Sequence, residues 1–249
     1  MTSSDRTAPA PRIEPCGKRI RTYLGGLAVA DTTRALMVWE HDRYPVYYIP
    51  VADVRTDLLT ATDRISRRPL LGDARVLTLT VGGHTAEHAV RQYPDSPVEA
   101  IRDHLRFNWA AMDAWYEEDE QVFTHARDPY TRIDILPSSR TVRIELDGTL
   151  LALSRSPRLL FETGLPTRYY LPPTDLVLPL FTTSDRITHC PYKGTATYLS
   201  AQVGDTLHQD LAWSYPTPLP ESQKIAGLVA FYDERVDVFV DDVRQPRPS

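Results

Sequence analysis

Apolar and polar residues alternate through much of this chain with the two-residue period of β-strands, which send successive side chains to opposite faces of a sheet. Val142-Arg143-Ile144-Glu145-Leu146 is one such run, Asp147-Gly148 supplies a tight hairpin turn, and 149–153 returns. Gly25-Gly26 marks the same hairpin earlier in the chain. Segments 168–171, 195–203, 210–215, 227–232 and 236–240 are rich in aromatic and β-branched residues and also read as strands. Prolines at 172, 173, 216, 218 and 220 punctuate them. Helical spacing occurs once, in Val98, Ile101, Leu105, Met112 and Tyr116, and predicts a short helix there.

The pattern repeats. Gly26, Ala30, Glu40, Tyr47, Tyr48, Pro50 and Asp53 fall on Gly148, Ala152, Glu162, Tyr169, Tyr170, Pro172 and Asp175, a constant shift of 122. Asp63-Arg64-Ile65, Pro69, Gly72, Val81-Gly82 and Tyr93-Pro94 keep that shift. Beyond Pro94 the register slips: Trp115-Tyr116-Glu117-Glu118 resembles Phe231-Tyr232-Asp233-Glu234, which implies about six extra residues, including the helix, in the first copy. Two copies describe a duplicated domain and not a solenoid. The expected organisation is a disordered tail over 1–16, a divergent first β domain over 17–126, a second over 127–243, and a disordered tail over 244–249, with 119–130 as linker. The fold class is all-β.

Composition narrows the function. With 249 residues, 21 prolines against 11 glycines and a net charge of −5, the chain has no overall basic field for nucleic acid. Two cysteines exclude a disulfide scaffold and a four-cysteine zinc site, so no metal or other cofactor is expected. The polar start has no signal-peptide core, and no apolar run is long enough to span a membrane. These features predict a reduced, cytoplasmic protein without membrane partners. Only Lys18, Lys193 and Lys224 are lysines; the other basic residues are arginine.

Comparing the copies isolates candidate chemistry. Arg158, Arg168, Cys190, Tyr192, Lys193 and Trp213 stand where the first copy has Leu36, Val46, Arg68, Leu70, Leu71 and Arg91. One functional half and one retired half would give this pattern, and so would drift at two differently buried surfaces. Cys190 is a candidate nucleophile or proton donor if a neighbouring cation such as Lys193 stabilises its thiolate; the alternative is a small buried hydrophobe. Arg158, Arg168 and Lys193 could converge on a carboxylate or phosphate, or each pair with a protein carboxylate. Glu162, in an apolar run, is either half of a structural ion pair or an acid–base group. Tyr170, Tyr192, Trp213 and Tyr215 are the aromatic candidates, with Trp213 and Tyr215 alternating onto one face and Tyr198 opposite, as pocket lining or as core. No phosphate loop, nucleophile elbow or dinucleotide fingerprint is present.

Arg158-Leu-Leu-Phe-Glu162-Thr, Arg168-Tyr-Tyr-Leu-Pro172, Thr188-His-Cys190-Pro-Tyr-Lys193-Gly194, Ala212-Trp-Ser-Tyr-Pro216 and Ile225-Ala-Gly-Leu-Val-Ala-Phe-Tyr232 together resemble the domain-of-unknown-function 427 family. The resemblance covers nearly all of 131–240, and the first copy looks like a divergent member of the same bacterial family. It implies two small tent-like β domains related in shape to zinc-binding β-tent proteins but lacking their metal cysteines. The nucleotidyltransferase-like label sometimes attached to the family does not carry over, because paired catalytic aspartates and a glycine-serine loop are missing. The functional expectation is that the second domain binds or acts on a small anionic metabolite through Cys190, Lys193, Arg158 and Arg168. A non-catalytic binding or interaction module is the alternative. Pairing of the two copies within the chain, as two subunits would, and a homodimer are both compatible with the sequence.

Overall fold

The computed structural model describes residues 10–248 and divides into two compact units, one ending at Asp128 and the other beginning at Pro129. Strands dominate, joined by short 3-10 turns, and among the described residues no helix is long and apolar enough to cross a membrane. In the first unit the strands are β1 (Arg12–Pro15), β2 (Ile20–Leu24), β3 (Leu27–Thr32), β4 (Leu36–Trp39), β5 (Val46–Pro50), β6 (Leu59–Arg68), β7 (Gly72–Val81), β8 (His84–Gln92), β9 (His104–Phe107), β10 (Ala114–Glu117) and β11 (Glu120–Val122). In the second they are β12 (Ile133–Pro137), β13 (Val142–Leu146), β14 (Thr149–Ser154), β15 (Arg158–Glu162), β16 (Arg168–Tyr170), β17 (Phe181–Cys190), β18 (Gly194–Val203), β19 (Thr206–Ser214), β20 (Val229–Phe231), β21 (Asp237–Val240) and β22 (Val243–Arg244).

Each unit sets a four-stranded sheet beside a larger antiparallel one. The first unit has the orders β11-β10-β2-β3 and β1-β4-β5-β9-β8-β7-β6. The second repeats them as β14-β13-β21-β22 and, split in two, β12-β15-β16 and β17-β18-β19-β20. Proline explains the split. In the first unit Val51 N–H donates to Asp103 (3.0 Å) and extends the β5–β9 ladder. The matching residue is Pro173, which has no N–H to give, so contact there narrows to the Leu171–Val229 bridge.

The repeated residues are mostly turn and bulge residues. Asp147 and Gly148 both take positive φ (50° and 77°), as a tight hairpin between right-twisted strands requires. Asp63-Arg64-Ile65 and Asp185-Arg186-Ile187 lie where the ladders β6–β7 and β17–β18 shift register.

Four expectations are corrected. Residues 12–15 are not a tail: β1 pairs with β4, Cys16 N–H donates to Ala35 (2.8 Å), and Cys16 is buried; the expected tail over residues 1–9 lies outside the described residues. At the other end Val243–Arg244 pairs with β21, Gln245 N–H donates to Val238, and Arg244 and Arg247 both bind Asp237. The helix over 98–116 does not form. Ile101, Leu105 and Met112 are buried as their spacing suggested, but in a 3-10 turn, a strand flanked by β5 and β8, and the end of a second turn. Part of the expected linker, Glu120–Val122, is likewise a strand.

Strand pairing also corrects the slipped register. β9 pairs with β8 as β20 pairs with β19, which equates Phe107 with Phe231 and Arg106 with Ala230. β10 and β21 both pair with the unit's first hairpin, equating Tyr116 with Phe239. The first copy therefore lacks two residues before β9 and gains one after it; there is no six-residue insert.

Each unit has two apolar clusters. The main core includes Tyr47, Ile49, Val90, Leu105 and Phe107 in the first unit, and Leu171, Ala212, Val229 and Phe231 in the second. Neighbouring residues point the opposite way and build a smaller cluster on the other face of the larger sheet. That face carries Val38, Tyr48, Leu71, Tyr93 and Ile101 in the first unit, and Leu160, Tyr170, Tyr198, Trp213 and Tyr215 in the second.

Candidate functional site

The smaller cluster of the second unit contains Tyr170, Cys190, Trp213 and Tyr215 of the sequence candidates. Cross-strand partners run Arg158–Tyr170 between β15 and β16, then Ala230–Trp213–Tyr198 across β20, β19 and β18. Partners in antiparallel ladders share a face, so Arg158, Tyr170, Trp213 and Tyr198 look out on one side of this sheet. Trp213 Nε1–H donates to the Tyr170 hydroxyl at 3.1 Å with the rings edge to face. The Tyr198 hydroxyl exchanges hydrogen bonds with Thr188 (2.8 Å) and Tyr232 (3.4 Å). Burial pushes the Tyr170 and Tyr215 phenols far above their ordinary range and Tyr232 up to about 12, so all three stay protonated donors. Cys190, partly buried at the end of β17, packs against this cluster.

Lys193 follows in the turn after Cys190 and ion-pairs with Glu162, the last residue of β15. Both side chains are nearly withdrawn from solvent, at 10% and 7% exposed. The turn depends on Gly194, whose φ of +97° suits glycine and whose neighbourhood closes on the Thr217 and Leu219 backbone. Arg168 lies against the Trp213 ring (5.7 Å to its centroid) and is held by Glu234 at 2.5 Å and Asp233 at 3.3 Å. Arg168 keeps Glu234 below the usual carboxylate range. Asp233, despite the same partner, is pushed up to about 7 by burial. Desolvation outweighs the attraction at Asp233, so Glu234 is the more readily ionised of the two partners of Arg168.

Of the three expected cations, then, Lys193 is matched by Glu162 and Arg168 by Glu234, whereas Arg158 makes no ion pair or side-chain hydrogen bond among the described residues. Tyr192 lies in the turn beside Lys193, and its carbonyl accepts from Ser222. Residues that sequence reasoning passed over include Asp233, Tyr198 as a hydroxyl hub, and Ala230. The corrected register is the signal that reveals Ala230.

The same place in the first unit solves the charge problem differently. Glu40, 7% exposed, is held by Arg106 Nε (3.1 Å), accepts from the Tyr48 hydroxyl (3.0 Å), and has Arg68 at 4.0 Å. Arg106 matches Ala230, and buried Leu71 matches Lys193. Each copy thus retains the buried glutamate but brings its counter-charge from a different element: a strand in the first, a turn in the second. The Glu162 pair is therefore not a gain peculiar to one half.

A surface depression of about 550 Å³, lined by residues including Arg21, Tyr23, Asp113, Tyr116 and Asp119, shares no residue with either cluster. Within it Arg21 lies 5.3 Å from the Tyr116 ring centroid and ion-pairs with Asp119.

A family model described as a domain of unknown function, DUF427, matches residues 12–118 and again 134–242. No curated protein matches the chain.

Proposed function

The chain belongs to the DUF427 family, carrying two of its domains in tandem, and on that premise we propose that the second domain binds a small anionic molecule on the Tyr170–Trp213 face, with Arg158 as the anion contact. One observation carries the reading: Arg158 shares a cross-strand position with Tyr170, while Lys193 and Arg168 are already matched by carboxylates. A carboxylate or phosphate of the ligand supplies the partner that Arg158 lacks, in the bidentate geometry a guanidinium favours. Trp213 and Tyr215, 9% and 7% exposed, form the packed aromatic backing of this face and hold its shape.

Cys190 and Lys193 then serve as wall and ionic support. Lys193 is committed to Glu162, which weakens the case for a thiolate stabilised by Lys193 and favours binding over turnover. The experiment is a thermal-shift screen of carboxylated and phosphorylated metabolites against wild type, Arg158→Ala and Cys190→Ser. A ligand whose stabilisation disappears in Arg158→Ala and survives in Cys190→Ser is the expected result. Equal responses of wild type and Arg158→Ala would refute the assignment, and substrate consumption abolished in Cys190→Ser would restore the catalytic reading.

A further inference from the structure

Arg68, Arg91 and Arg106 of the first unit cluster near one glutamate, Glu40, which Arg106 and Arg68 reach. Arg91 and Arg106 are direct cross-strand partners on β8 and β9, and Arg106 is in turn the partner of Tyr48 on β5. Directly opposed residues of an antiparallel ladder have Cα atoms about 5 Å apart and project to the same face. Like charges in that position repel, and more so where burial reduces solvent screening. Arg106 is 16% exposed and Glu40 offsets it. Arg91 has no such relief: it makes no ion pair among the described residues, and its Nε is shut off from solvent without a hydrogen-bond partner. Burial first, then the nearby Arg106, lowers its proton affinity, with Arg68 acting in the same direction. Arg68, half exposed at the end of β6, reaches the same glutamate at 4.0 Å.

Three guanidinium groups against one carboxylate leave a local excess of two positive charges. The corresponding positions in the second unit are Trp213, Ala230 and Cys190, so the excess belongs to the first unit alone. We propose that Arg91, Arg106 and Arg68 form a binding site for the doubly charged phosphate group of a small molecule. Two guanidinium groups side by side can each present N–H donors to a different pair of phosphate oxygens. Arg68, on its more exposed arm, closes over the third side. Glu40 and the Tyr48 hydroxyl fix Arg106 and keep its fork oriented.

The test is calorimetric titration of the full chain with inorganic phosphate, and with succinate as a dicarboxylate control, at constant ionic strength. A saturable phosphate site that depends on Arg91 is expected, with succinate weaker. Arg91→Gln should weaken phosphate at least tenfold while leaving the melting temperature without ligand unchanged or raised, since it removes an uncompensated charge. Arg68→Gln, at a more exposed position, should weaken phosphate as well, and Arg158→Ala in the second unit should not. Absence of saturable binding, wild-type affinity in Arg91→Gln, or succinate binding tighter than phosphate would overturn the proposal. So would a phosphate site that vanishes in Arg158→Ala and persists in Arg91→Gln, which would move it to the second unit.

Discussion

Replacing Lys193 by leucine, the residue of the first copy, isolates the buried ion pair. The variant leaves the Glu162 carboxylate, 7% exposed, without its cation. Breaking one side of a buried pair costs about 3–5 kcal/mol, because a charge stays desolvated with no compensation. With a urea dependence of about 2 kcal/mol per molar for a domain of this size, the second unit's midpoint should fall by roughly 1.5–2.5 M. Trp213 reports on it cleanly: the other tryptophans, Trp39, Trp109 and Trp115, lie in the first unit, and the Trp213 indole N–H is bonded to Tyr170. Its NMR resonance followed through a urea titration gives the midpoint. The decisive variant is the double substitution Lys193→Leu with Ala230→Arg, which rebuilds the Leu71–Arg106 arrangement. Arg106 reaches Glu40 from the strand position that Ala230 occupies, so at least half of the lost stability should return. Recovery should be incomplete, because Trp213 stands where the first unit has Arg91 and crowds the new side chain. A loss below about 1 kcal/mol in the single variant would refute the buried-pair argument. A double variant no more stable than the single would refute the exchange of counter-charges between strand and turn.

Protonation of Asp233 gives the second unit a pH dependence. Its folded-state value, about 7, lies above that of an unfolded aspartate, so the folded state binds the extra proton. The contribution is complete below about pH 4 and is lost as pH rises through about 7; melting curves of wild type against Asp233→Asn should show the variant losing that slope. Iodoacetamide should label Cys190 well before Cys16, as peptide mass spectrometry can read, because Cys16 is 4% exposed and burial raises its thiol's pKa. Gly194→Ala should destabilise the second unit by about 1–2 kcal/mol, measured by urea unfolding, since an alanine must hold a φ of +97°. Arg34→Ala, at an exposed pair with Asp53, should cost under about 1 kcal/mol in the same assay.

The sequence by itself determined the fold class and the duplication. Alternation of apolar residues, the Asp147-Gly148 turn and matched glycines and prolines act locally, through side-chain direction and allowed φ, and so can be read without tertiary contacts. It also singled out Glu162, Lys193, Cys190 and Trp213, which the second unit brings to one face or its edge. Local signals failed where pairing decided. The 98–116 spacing marks residues that are buried, but backbone hydrogen bonds to β5 and β8 make a strand of 104–107. The tail composition of residues 10–16 concealed an edge strand, whose partner β4 lies more than twenty residues away. Most of all, only strand pairing equates Arg106 with Ala230. From sequence the charges around Lys193 looked like the gain of one half; the tertiary structure shows a glutamate buried in both, neutralised from different elements. The reason is physical: a desolvated carboxylate demands a cation within a few ångströms, whichever element supplies it.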